Sequence, residues 1–330
     1  MRNVGISGSD RIGWLVAGTL SVLTAGWGLL DPDMYLGLVA PATRPGALSQ
    51  DVITLIAGLT LCGLAAVPKR VDPRPDLVAL GLLGYLFYGY GIYVIERVYN
   101  VLYLNYLTIF GMAAWFLVLG AIDVVRRTAD RASLARRFRR VSAAGALLQP
   151  LIFYPLWISM LIPLMVNRQQ IDSLYSIFIL DLVFIMPGFL LVAIGQLLDR
   201  GWAVVLAPVM FVLGAVLIFS LALGELVKPA FGAPITIAGL MPPTLLTTLL
   251  VLLAVLQLKR MCFLPVALAD TGPEPLSQLP ARDPTSEMAF EPDLKQRAQP
   301  RSSRRTASPG DSSTSPSPVP SSGLEIRRPK

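Results

Sequence analysis

The 330-residue chain is 54% hydrophobic and 15% charged, with a mean hydropathy of +0.62. Soluble domains carry about a quarter charged residues, so this balance excludes an ordinary soluble protein and a disordered one. The net charge is +7 and there is no histidine, which excludes histidine-ligated haem, histidine-containing metal centres and Ser-His or Cys-His catalytic pairs within this chain.

Apolar runs bounded by charge or turn residues fall near 12–30, 51–67, 76–97, 101–123, 141–166, 174–198, 202–224 and 239–258. A helix needs roughly 20 apolar residues to cross a bilayer, so each run is long enough, the second only just. The expected fold is all-α, a polytopic helix bundle of about eight spans over 1–264. The first run is read as an uncleaved anchor, since no small-residue cleavage site follows it before Asp31 and Asp33. Residues 265–330 turn abruptly to Pro, Ser, Arg and Glu and are expected to form a disordered cytoplasmic tail. Its Arg304, Arg305, Thr306 and Ser308, with Ser-Pro pairs at 308, 315 and 317, would suit a Ser/Thr kinase or a cytoplasmic protein partner.

Basic residues set the expected orientation, because cytoplasmic loops retain Lys and Arg during insertion. With the N-terminus inside, Arg2, Arg11, Lys69, Arg70, Arg74, Arg126, Arg127, Arg131, Arg136, Arg137, Arg139, Arg140, Arg200, Lys259 and Arg260 are cytoplasmic; Arg44, Arg97, Arg168 and Lys228 are outside. Both termini are therefore expected in the cytoplasm, and the membrane is expected to be the plasma (inner) membrane. The stretch Val124 to Val141 holds seven of these arginines among Ala, Leu and Phe. It reads as a basic helix along the anionic inner leaflet, where each arginine gains about 1 kcal/mol. That accounts for the basic balance without a nucleic-acid partner. Cys62 and Cys262 read as small buried hydrophobes.

An ionisable group inside a span costs about 2.5–3.5 kcal/mol to insert and is a functional candidate by default. Asp181 is the one that qualifies outright, some seven residues into the sixth run with Pro187 and Gly188 beyond it. Either it serves a cation or proton, or it packs one helix on another by a hydrogen bond. Glu96 and Glu225 end the third and seventh runs on the same outer side. Were those helices neighbours, the three acids would form an outward-facing pocket. Tyr85 and Tyr88 lie mid-span, where a phenol needs a partner, and Asn100 and Asn105 sit on the outer approach. The candidate ligand or ion pocket is accordingly Asp181, Glu96, Glu225, Tyr85, Tyr88 and Asn105. Prolines 150, 155, 163, 187 and 208 predict kinks, and the four-residue spacing of Ala17, Ser21 and Ala25 predicts close helix packing.

No phosphate loop, HExxH, paired-cysteine motif or GxSxG elbow is present. No catalytic residue, metal or cofactor is expected. Two stretches, YLFYGYGIYVIERVYNVLYLNY (85–106) and LDLVFIMPGFLLVAIGQLLDRGWAVVLAP (180–208), are similar to a family of uncharacterised prokaryotic multi-span membrane proteins. The resemblance implies one integral membrane domain and brings no activity with it. The favoured expectation is a non-catalytic scaffold, accessory or sensory protein. The alternative is a small-solute or cation transporter using the pocket around Asp181; an enzyme on a lipid substrate comes last, for want of paired carboxylates.

Overall fold

A computed structural model describes residues 8–67, 72–171 and 173–263. Arg2, Lys69, Arg70 and the tail with its kinase sites lie outside the described residues. Among those described are eight spans long and apolar enough to cross a membrane, and the protein is an all-α, multi-pass membrane protein. The helices are α1 (Gly8–Leu30), α2 (Arg44–Ala66), α3 (Arg74–Ile95), α4 (Tyr103–Thr128), α5 (Arg136–Asn167), α6 (Tyr175–Leu180), α7 (Met186–Leu197), α8 (Gly201–Val227) and α9 (Ile237–Arg260). One π-helical turn, Asp181–Ile185, joins α6 and α7 into a single span.

Local chemistry explains the boundaries. Helices α2 and α3 begin Arg44-Pro45 and Arg74-Pro75, placing proline in the first turn, where its missing N–H leaves nothing unsatisfied. Helix α9 starts at Thr236, whose hydroxyl accepts from the Gly239 N–H at 3.1 Å. The π turn precedes Pro187, which cannot donate to the preceding turn; the Met186 N–H reaches back to the Asp181 carbonyl instead.

The connections α1–α2, α3–α4, α5–α6 and α8–α9 share one end of the bundle; the others, rich in arginine, share the opposite end. Helices α3 and α8 pack together at the centre. On one side α1, α2 and α4 complete a core around Leu61, Leu83, Tyr90 and Ile109; on the other α5, α7 and α9 complete a second around Phe189, Phe211 and Leu250. Outer faces carry exposed Leu104, Trp115, Ile162, Leu191 and Leu245, as lipid-facing helices do. Ala17, Ser21 and Ala25 are fully buried on α1, and backbone meets backbone beside them: a Cβ on Gly18 would lie 2.8 Å from the Gly58 carbonyl oxygen.

Three expectations are corrected. Val124 to Val141 forms no separate surface helix, because α4 continues to Thr128 and α5 starts at Arg136. Between them Ala132–Ser133 (β1) pairs antiparallel with Cys262–Phe263 (β2). Its arginines are divided by their partners. Arg127 pairs with Asp123 at 2.7 Å and Asp76 at 3.7 Å, Arg139 with Asp199, and Arg131 donates to the Arg127 carbonyl at 2.6 Å. Arg126, Arg136, Arg137 and Arg140 are exposed. Second, Cys262 is exposed in β2 and Cys62 is only half-buried. Third, α2 begins at Arg44 rather than near 51, so Asp51 lies about two turns inside the helix.

Asp51 is buried and takes a 2.8 Å hydrogen bond from the hydroxyl of Tyr35, which lies in a short 3₁₀ turn, Pro32–Tyr35. This bond fits because Gly28 has no side chain: a Cβ there would overlap Asp51 Oδ2 and come within 2.8 Å of the Tyr35 hydroxyl. Gly26, two residues earlier, has open space around it. Gly28→Ala is expected to lower stability by about 1–3 kcal/mol through overpacking, and Gly26→Ala to leave it unchanged or raise it by up to about 1 kcal/mol, since alanine is the better helix former and has room there. Thermal unfolding of both variants in detergent checks this; equal melting temperatures would show that the Asp51 pocket yields freely.

Candidate functional site

A cavity of about 690 Å³ lies at the end opposite the arginines, between α2, α3, α5, the sixth span and α8. Asp181, Glu96, Glu225, Tyr85 and Tyr88 all line it. Asn105 does not; it is half-buried on α4, and it is Asn100 that acts locally, donating to the Tyr106 hydroxyl at 2.8 Å and accepting from the Leu102 N–H. The α1–α2 connection, Gly37 to Thr43, forms one wall of the cavity, and Arg44 and Lys228 bring positive charge to it.

The three acids have different tasks. Glu96 closes α3 and accepts from both the backbone N–H and the hydroxyl of Ser176, at 2.9 and 2.6 Å, fastening the start of α6. Tyr175 adds a 2.6 Å bond to the Ile95 carbonyl, filling one of the acceptors a helix end leaves open. Glu225 pairs with Lys228 at 2.5 Å and accepts from the N–H and hydroxyl of Thr236, at 2.8 and 2.7 Å. It thereby places negative charge at the N-terminus of α9, where the helix dipole favours it. Both glutamates are structural tethers that happen to face the cavity.

Asp181 stands apart. It sits in the π turn and is 5% exposed. Its Oδ2 accepts from the indole N–H of Trp157 on α5 at 2.7 Å, and the Tyr88 hydroxyl lies beside the same carboxylate. Oδ1 has no hydrogen-bond partner in this structure. Gln149 on α5, 2% exposed, also lines the cavity and has an unpartnered side-chain N–H₂. Arg44 Nε is a third unpartnered polar atom on the cavity lining; buried polar atoms without partners cost about 1–3 kcal/mol each. Aromatic rings dominate the surroundings: Trp157 stacks on Phe153 with centroids 6.0 Å apart, and Phe178 meets Trp157 edge-on at 5.7 Å.

Among the described residues no group of three or more Cys, Asp and Glu side chains converges as a metal site would. A further buried acid, Asp51, does not line the cavity but lies amid Tyr35, Tyr85, Tyr90, Tyr93 and Tyr106. Tyr85 donates to the Gln50 carbonyl at 3.1 Å and lies 3.0 Å from the Thr54 hydroxyl; Gln50 in turn donates to the Gly89 carbonyl at 2.8 Å. Sequence reasoning missed Asp51 by starting the helix too late. The signal was there: Thr43-Arg44-Pro45 has proline at a first-turn position, which marks a helix start. Pro242 and Pro243, in the first turns of α9, were likewise passed over.

The chain matches no protein-family model, no curated protein and no solved structure. What the site can do therefore rests on its geometry.

Burial pushes the Tyr35 phenol well above its ordinary value, and the adjacent Asp51 carboxylate adds to the shift. A phenol raised in the folded state keeps its proton while the unfolded chain loses its own above about pH 10. The stabilisation is thus complete below pH 10 and declines as pH rises beyond it, by up to about 1.4 kcal/mol per unit. Tyr35→Phe is expected to cost about 1 kcal/mol at neutral pH, and the gap from wild type to narrow above pH 10. Urea unfolding of both proteins between pH 7 and 11 measures that gap; one constant to pH 11 would contradict it.

Proposed function

We propose that this membrane protein binds a small solute in the cavity beside Asp181, as a carrier or sensor rather than as an enzyme. The observation that supports it is the Asp181 carboxylate, buried on the cavity wall with one oxygen held by Trp157 and the other unpartnered. A purely packing aspartate would satisfy both oxygens against neighbouring helices. The cavity's volume also falls within the roughly 300–1,000 Å³ of small-molecule sites.

We further propose that the protein lies in the plasma (inner) membrane with both termini in the cytoplasm. Among the described residues Arg11, Arg74, Arg126, Arg136, Arg137, Arg140 and Arg200 all belong to the end opposite the cavity, and the positive-inside rule places that end in the cytoplasm. The cavity then faces outward. The exposed arginines 126, 136, 137 and 140 favour one secondary role, contact with anionic lipid of the inner leaflet or with an acidic cytoplasmic partner.

Thermal stability in detergent across a panel of ions and small solutes, for wild type and Asp181→Asn, tests the cavity reading. A solute at a hundred times its dissociation constant raises stability by about 2.7 kcal/mol. Stabilisation of wild type that disappears in Asp181→Asn is the expected result. If no solute shifts wild type, and Asp181→Asn changes only the baseline melting temperature, the carboxylate is a packing group.

A further inference from the structure

Resting on the reading of the cavity as a binding site, the chemistry around Asp181 narrows the class of occupant. An inorganic cation stripped of water needs several oxygens at once; calcium takes 6–8 and magnesium six. Here Glu225 is engaged through both oxygens, by Thr236 and Lys228, and Glu96 through Oε1, by Ser176. Asp181 Oδ1 is unpartnered; even with the second oxygen of Glu96 this is too few for a metal ion stripped of water, but Oδ1 is enough for one charged or donor group of an organic molecule.

The rest of the lining points the same way. Tyr88, Phe153 and Trp157 line the cavity by the carboxylate, and Tyr85, Ile92 and Leu217 extend the wall. Aromatic faces attract a weakly hydrated cation, by about 2 kcal/mol or more where water is excluded, and this is how quaternary ammonium groups are recognised. An anion would be drawn to Arg44, whose guanidinium Nε is also unpartnered, but would be repelled by the buried Asp181 carboxylate. A neutral apolar molecule would leave Oδ1 and the Gln149 amide unpartnered, at the cost that buried polar groups carry.

We infer that the occupant is an organic cation with an apolar body, its ammonium seated at Asp181 Oδ1 within the aromatic wall of Tyr88, Phe153 and Trp157. The Gln149 amide is available to an acceptor on the same molecule, a group that both test compounds lack so that they differ in charge alone. The charge supplies selectivity, and the apolar body fills a cavity too large for a simple ammonium ion.

Benzyltrimethylammonium and its uncharged carbon isostere neopentylbenzene have the same shape and differ in charge. Equilibrium binding of each to the full-length protein in lipid nanodiscs, with protein-free nanodiscs as blank, reads the contribution of charge directly. The expected result is at least tenfold tighter binding of the ammonium, a preference lost in Asp181→Asn and unaffected by raising sodium or potassium at constant ionic strength. Equal binding of the two compounds would overturn the cation assignment while leaving the cavity as a binding site. So would failure of both compounds where another solute of the panel stabilises wild type through Asp181. If neither compound binds and no solute stabilises the protein, the cavity reading falls as well. The wild-type comparison stands without any variant, so an Asp181→Asn protein that fails to fold leaves the test intact.

Discussion

A carboxylate removed from water must find donors, and at the cavity end of this bundle that requirement organises the architecture. Asp51 takes the Tyr35 hydroxyl and holds the α1–α2 connection; Glu96 takes Ser176 and holds the entry to α6; Glu225 takes Thr236 and holds the entry to α9. The remaining connection, α3–α4, is held by Asn100. Connections that would otherwise hang loose over the bilayer surface are thus bound to fixed points on α2, α3 and α8. Carboxyl groups suit this task, since each offers two oxygens that can accept several hydrogen bonds. The cavity walls owe their position to these tethers, because Gly37 to Thr43 and Ser173 to Ile177 are both part of the lining.

Against that pattern Asp181 is the exception that gives the site its character. Its donor comes from another span rather than from a connection, and it retains an unpartnered oxygen. The π turn is what presents it. Pro187 removes a backbone donor from the next turn, and the helix widens to the Met186-to-Asp181 bond. An extra residue in the turn rotates everything before it relative to a regular helix, and such turns recur at functional sites.

The sequence made the spans legible because the bilayer imposes a length and a composition that few other structures share. It also made Asp181 legible, since a lone carboxylate within LYSIFILDLVFIMPGFLL has no other ready explanation. Asp51 was hidden by its neighbours: RPGALSQ reads as a connection by polarity, yet it is helical because its polar side chains bond inside the protein, Ser49 to the Ser220 carbonyl and Gln50 to the Gly89 carbonyl. The arginine stretch misled for the converse reason. Spacing pairs Arg127 with Asp123 one turn earlier, but not Arg127 with Asp76 or Arg139 with Asp199, which are remote in the chain. The division of labour between Glu96, Glu225 and Asp181 depends on which donor each one meets, and no single-chain pattern encodes that.

The two ends of the bundle are held by different means, and this bears on how the cavity works. At the arginine end the spans are bonded to one another: Ser142 on α5 donates to Gln257 on α9 at 2.5 Å, Gln257 donates to the Val204 carbonyl on α8 at 3.1 Å, and Arg74 on α3 donates to the Leu258 and Met261 carbonyls at 2.7 Å. Toward the other end α5 and α9 turn largely outward, with Leu156, Met160 and Met165 on one and Ile237, Met241 and Leu245 on the other exposed. Helix α5 carries three prolines and α9 two, so both have weakened backbone ladders there. The Trp157–Asp181 bond ties the cavity end of α5 to the sixth span. A ligand group taking Oδ1 leaves the indole on Oδ2, so the same carboxylate can hold the wall and an occupant at once.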